Sequence, residues 1–212
     1  MKIAVIGMGS VGGTLGQRWA AAGHTVTFGS RNPADPKGKT EAAGMKAEFA
    51  SIHDAVASAD VVVLTVPFDA IANALAAAGN LAGKVLLDCT NPLLPDLSGL
   101  SVGQNTSGGE EVAKVAPGAK VVKIFNTTGY DNMANPNYGG TPVTMLYAGD
   151  NAGAKATAAA LARDLGFDPV DFGPLSGARL LETLALVWIT LAVRQKLGRD
   201  FTLNIIHRPS DG

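Results

Sequence analysis

The first twelve residues leave this chain few ways to fold. An apolar run from Met1 to Ile6 breaks at Gly7-Met8-Gly9-Ser10-Val11-Gly12, and helix-forming sequence then continues to about Ala22. This is the pattern of a buried strand turning tightly into a helix at a dinucleotide pyrophosphate. Gly7 permits the turn, Gly9 lets backbone approach a phosphate, and Gly12 allows the helix to pack on the strand. The amides of Ser10, Val11 and Gly12 then open at the positive end of the helix, where an anion is stabilised.

About twenty residues on, a second strand, Thr25 to Phe28, ends in Gly29-Ser30-Arg31-Asn32. NAD-selective folds place an Asp or Glu here, whose carboxylate holds the ribose hydroxyls and repels a 2′-phosphate. This chain has none. Ser30 and Arg31 instead offer a hydroxyl and a guanidinium suited to phosphate oxygens, which points to NADP(H). Lys37 and Lys39, a few residues further on, could add to the phosphate field, although two lysines in a polar loop more commonly serve as solvated surface.

With 212 residues the chain suffices for one sizeable core. The expected organisation is a single domain over 1–212, with a dinucleotide-binding core at 1–128 and a C-terminal extension at 129–212. Charged residues are 17% of the chain and the net charge is −1, which leaves no electrostatic footprint for nucleic acid or an anionic membrane. The lone Cys89 reads as a small buried residue at a strand end and suits a reducing cytoplasm. The longest apolar run, Leu184 to Val193, is half what a bilayer crossing needs, so the expected location is cytoplasmic, off the membrane.

Strand-like and helical patterns then alternate. A loop spans Asn32 to Lys39, followed by a short helical stretch and a weak strand near Met45 to Glu48. Ser51 caps a brief helix, Val61 to Val66 reads as a strand buried on both faces, and Asp69 to Ala78 as a helix. A strand at Lys84 to Asp88 leads into Cys89-Thr90-Asn91-Pro92. A loop from Leu93 to Asn105, a helix from Glu110 to Val115 and a strand from Lys120 to Phe125 follow. Beyond Gly139-Gly140 come a strand from Val143 to Ala148, a helix from Ala152 to Leu165 and a strand from Asp168 to Asp171. The final helix, Gly177 to about Leu197, is apolar nearly all round and must be covered by this chain's core or by another copy, which predicts a homodimer. The alternation predicts an α/β fold: a Rossmann-type doubly wound parallel sheet with a small C-terminal extension ending in a long buried helix. Ligands of such sheets sit beyond the carboxyl ends of the strands. One crevice should therefore gather the glycine turn, Ser30-Arg31-Asn32, Thr65-Val66-Pro67, Thr90-Asn91 and Asn126-Thr127-Thr128.

No acid, base, nucleophile or metal set stands out: His24, His53 and His207 have no ligand spacing. Hydride transfer between two redox cofactors requires no side-chain proton shuttle at the reacting carbon. The protein need only align two rings and exclude water, so a small-molecule redox cofactor is the expected partner. An NADPH-dependent reductase of a flavin or of a small imine or carbonyl, and a non-catalytic NADP(H) sensor, remain alternatives.

At these residues the sequence resembles the coenzyme F420-dependent NADP oxidoreductases and the NADPH-binding reductase domain of the six-transmembrane metalloreductases. Gly29-Ser30-Arg31-Asn32-Pro33 resembles the family's 2′-phosphate clamp, Thr65-Val66-Pro67 its third cofactor-facing turn, and Gly173-Pro174-Leu175-Ser176-Gly177-Ala178-Arg179 its C-terminal signature. The resemblance implies that Met8, Gly9, Ser10 and Val11 flank the pyrophosphate and that Ser30 and Arg31 hold the adenosine phosphate. It places a second ring, coenzyme F420 or flavin, against the nicotinamide near Asn126, Thr127 and Leu175. The stretches Asp88 to Asn91 and Lys123 to Asn126 look more like the metalloreductase branch, which keeps flavin beside deazaflavin as the hydride partner.

Overall fold

The computed structural model describes residues 1–103 and 105–208; Gln104, inside the predicted 93–105 loop, and the last four residues lie outside it. Six parallel strands, β1 (Lys2–Ile6), β2 (Thr25–Ser30), β3 (Glu48–Ser51), β4 (Val61–Leu64), β5 (Val85–Asp88) and β6 (Lys120–Lys123), lie in the order β3-β2-β1-β4-β5-β6. This is the doubly wound arrangement of a dinucleotide fold. A two-stranded hairpin, β7 (Asn137–Tyr138) and β8 (Thr141–Pro142), precedes β9 (Thr144–Gly149), and β10 (Asp168–Asp171) completes the sheet beside β9.

Neighbouring residues on a strand serve opposite faces. Ile3, Val5, Val61 and Val63 join one core, whereas Ala4, Ile6, Val62 and Leu64 join the other. A strand covered on both sides has no polar face, which is why these runs are continuously apolar rather than alternating. Helices α1 (Ser10–Ala21), α2 (Pro36–Gly44), α6 (Tyr130–Ala134) and α7 (Ala152–Asp164) lie towards the first core. Helices α3 (Ile52–Ala57), α4 (Ile71–Ala78) and α5 (Gly108–Val115) cover the second, and α8 (Ala178–Ile189) packs on α5 and β9.

The structure departs from the sequence reading in four places. β9 runs antiparallel to β6, because only the five-residue α6 and a hairpin separate them; without a returning crossover helix the chain re-enters where β6 ended. β3 starts at Glu48, not Met45, because Met45 caps α2 and Lys46 adopts a left-handed φ of 56°. β4 ends at Leu64, since Thr65 turns its hydroxyl onto the carbonyls of Ile6 and Gly7 (both 3.0 Å). β6 ends at Lys123, and Phe125, buried edge-on to Trp19 and Phe167, takes φ 61°.

The last helix is buried on one face only. Leu181, Glu182, Ala185 and Trp188 are buried, whereas Leu180, Val187 and Val193 are exposed, and the helix passes into a π turn at Thr190–Arg194. The helical stretch Leu175–Arg194 has the length and composition to cross a membrane, more than the ten-residue apolar run suggested. In this fold it lies along the sheet, with Glu182 at its middle committed to an internal ion pair.

Candidate functional site

One register row carries the site. Gly29 pairs with Ile6, Ile6 with Leu64, Leu64 with Asp88, and Asp88 with Lys123. The turns that follow these strands therefore emerge along a single edge, as the crevice rule requires.

At the β2-β1-β4 end of this edge lies a cleft of about 450 Å³. Gly7, Met8 and Gly9 form one wall, Thr65, Val66 and Pro67 another, and Ser30 and Arg31 the far end. Gly7 takes φ 104°, and a Cβ on Gly12 would overlap the Gly7 carbonyl and Thr65 Oγ1, so the helix meets the strand with no room for a side chain. A Cβ on Gly9 would meet no protein atom. The first bond of α1 is Gly13 N–H to Gly9 O (2.7 Å), and no side chain caps that end. The amides of Ser10, Val11 and Gly12 thus begin an uncapped helix beside open space, with Arg31 in the same cleft. This donor set fits a dinucleotide bearing an extra phosphate.

The structure refines the sequence reading of two residues. Lys37 lines the cleft beside Arg31, with Glu41 3.7 Å away, so it belongs to the charge field at that end. Lys37 sits in the first turn of α2, which begins at Pro36 under the Asp35 cap, and its side chain stays exposed at the rim of the cleft. Asn32 does not line the cleft; its N–H donates to Ser30 Oγ (3.1 Å) and steadies the hydroxyl.

Asn91, Asn126, Thr127 and Leu175 lie at the β5-β6 end. Asn91 Nδ2 donates to the Asn126 carbonyl (2.9 Å) and Asn126 Nδ2 to Asn91 Oδ1 (3.0 Å), so the two amides brace each other. Among the described residues, Asn126 Oδ1 is the one buried side-chain polar atom without a partner. Leu175 belongs to the second core beside Gly109, and its N–H donates to Asp150 Oδ1 (2.9 Å).

Beneath this end sits a cluster the sequence did not reveal. Lys123 is fully buried and donates to Asp88 Oδ2 (2.9 Å), to Glu182 Oε1 (2.8 Å) and to the Thr90 carbonyl. Asp88 Oδ1 accepts from Thr90 N–H (2.9 Å) and Thr90 Oγ (2.7 Å). Glu182 accepts the first amides of α5, Gly108 N–H (2.9 Å) and Gly109 N–H (3.0 Å). Burial alone would push the Lys123 ammonium down, but the two carboxylates outweigh it and hold it above the usual lysine range. Burial also pushes the neighbouring Cys89 thiol well up, which keeps it protonated and unsuited to nucleophilic work.

Comparison with known proteins agrees with this geometry. Residues 2–92 match the family described as NADP oxidoreductase, coenzyme F420-dependent. The F420-dependent NADP reductase of Methanothermobacter thermautotrophicus is 34% identical, over 99% of this chain and 96% of that protein. A crystal structure of a putative F420-dependent NADP-reductase from Arthrobacter sp. FB24 superposes with a TM-score of 0.86 at 36% identity, covering 98% of this chain and 100% of the other. The rat metalloreductase STEAP3 is 32% identical over 87% of this chain, which spans only 36% of that protein. An Aspergillus terreus reductive aminase, at 22% identity and TM-score 0.66, shares the fold. With Arg31 at the end of the cleft, a helix end left open for phosphate and a full-length relative at this identity, the chain belongs to the coenzyme F420-dependent NADP oxidoreductase family and is an NADP-dependent oxidoreductase.

Proposed function

We propose that the protein transfers hydride between NADP(H) and a deazaflavin of the coenzyme F420 type. The observation that carries this reading is the division of one sheet edge into two unlike ends. The cleft at Gly7-Gly9, Ser30 and Arg31 suits the phosphorylated adenosine and pyrophosphate. The amide pair at Asn91 and Asn126 suits the nicotinamide, whose carboxamide N–H finds an acceptor in Asn126 Oδ1. NADPH supplies the hydride from its nicotinamide C4. The chain's own residues bind, align and exclude water, which is where a ring-to-ring transfer gains its rate. Thr127 and the turn at Leu175 border this end and form the ground on which the second ring is received.

Titration of the purified protein with NADPH and, in turn, F420, FMN and FAD, followed by absorbance, tests the reading. Oxidation of NADPH that requires F420 is the expected result. Turnover with FMN or FAD alone would replace deazaflavin by flavin as the hydride partner. Tight NADPH binding without turnover on any acceptor would sink both.

The exposed face of α8 supports a homodimer. Leu180, Leu184, Val187 and Leu191 recur at helical spacing, and Leu180 and Val187 lie open to solvent, a stripe that a second copy would cover. Sedimentation of the protein should give a dimer, and Leu180→Glu with Val187→Glu a monomer.

A further inference from the structure

The Asp88, Lys123 and Glu182 cluster is an expensive way to hold a fold together. Three charges are buried, and apolar residues of similar volume would serve stability equally well or better. What the cluster specifies is geometry. Lys123 uses all three of its N–H donors, on Asp88, Glu182 and the Thr90 carbonyl. Thr90 is gripped at its N–H, its hydroxyl and its carbonyl. Asn91 is the next residue in the chain, and Asn126 lies three residues beyond Lys123. The bases of both members of the amide pair are therefore anchored to one ammonium. Through Glu182 the same ammonium is tied to α8 and to the start of α5, where Gly108 and Gly109 leave the room a side chain would take.

We infer that Lys123 is the positioning residue for the nicotinamide end: the buried ion cluster holds the Asn91–Asn126 pair at the spacing that receives the ring. This rests on the proposed placement of the nicotinamide at Asn91 and Asn126.

The test compares two ligands by equilibrium binding. NADPH reaches both ends of the edge, whereas 2′,5′-ADP carries only the phosphorylated adenosine. In the wild type NADPH binds more tightly, and Asn126→Ala should narrow that gap by about three- to tenfold, the worth of one hydrogen bond. The charge-free variant Asp88→Asn/Lys123→Met/Glu182→Gln should narrow it as much while 2′,5′-ADP affinity stays within twofold. A purely structural cluster would change the melting temperature or weaken both ligands alike. If Asn126→Ala leaves the gap unchanged, the placement of the nicotinamide fails. If Asn126→Ala narrows it and the triple variant does not, the positioning role fails. Should the triple variant not fold, Glu182→Gln alone leaves the Lys123–Asp88 pair balanced and is expected to narrow the gap about twofold; an unchanged gap overturns the inference.

Discussion

The two ends of the cofactor edge are built on opposite principles. At the β2-β1-β4 end the cleft is shaped by backbone freed of side chains at Gly7, Gly9 and Gly12 and is edged by surface charges, Arg31 and Lys37 beside Asp35 and Glu41. At the β5-β6 end the lysine is fully buried and bonds the Thr90 carbonyl, next in the chain to the Asn91–Asn126 amide pair. On the proposed placement of the cofactor, this difference corresponds to the two halves of a dinucleotide phosphate. A phosphate is bound by charge and tolerates a mobile guanidinium, whereas a reacting ring must be held in one orientation.

Four measurements sharpen this contrast. The largest effect is expected at Lys123. Lys123→Met leaves two buried carboxylates without their cation and should lower folding stability by about 3–5 kcal/mol, read by denaturant unfolding; a loss below 1 kcal/mol would mean the cluster is not the fixed element described here. Next comes Gly12, where fold and cleft share one contact. Gly12→Ala drives a Cβ into the Gly7 carbonyl and should destabilise by about 3 kcal/mol while weakening NADPH, whereas unchanged melting and binding would break the packing argument.

Arg31 belongs to the first end alone. Arg31→Ala should weaken NADPH by about 1.5–3 kcal/mol, the worth of a charge-assisted contact, with NADH untouched and melting unchanged; equal loss for both nucleotides would remove the clamp. The smallest effect lies at the rim of the ion cluster, where Arg179 grips Glu110 through two bonds (2.8 and 2.6 Å). Those bonds hold the Glu110 carboxyl below the usual range. Its folded value is lower than its unfolded one, so the stabilisation is complete above the ordinary carboxylate range and vanishes as pH falls through the folded value. Glu110→Gln should therefore lower stability slightly at neutral pH, flatten part of the acid limb of a stability–pH curve, and converge with the wild type at low pH. An identical slope in both proteins would refute the assignment.

Legibility followed the same division. Gly7 to Gly12 and Ser30-Arg31 each lie within a few residues, so local pattern sufficed to find them. The Ser51 cap was equally local, and its hydroxyl does accept Asp54 N–H (3.1 Å). For Lys37 the sequence left both readings open, and it lines the cleft rim with its side chain still exposed, because α2 begins at Pro36 beside the cleft. Asp88, Lys123 and Glu182 escaped notice because 35 residues part the first two and 59 the last two, and each alone reads as an ordinary charged residue. Only Glu182, two residues before the apolar run on the last helix, carried a signal, since a lone carboxylate on a greasy helix demands a partner.

What the order of amino acids decided unaided was the strand-turn-helix entry, the doubly covered strands and the preference for a phosphorylated adenosine, because each is a property of neighbours along the chain. Tertiary structure decided the direction of β9, the half-exposed face of α8 and the buried cluster beneath Asn91 and Asn126. Those depend on which distant segments meet, and a charge can be taken from water only after its partners have arrived.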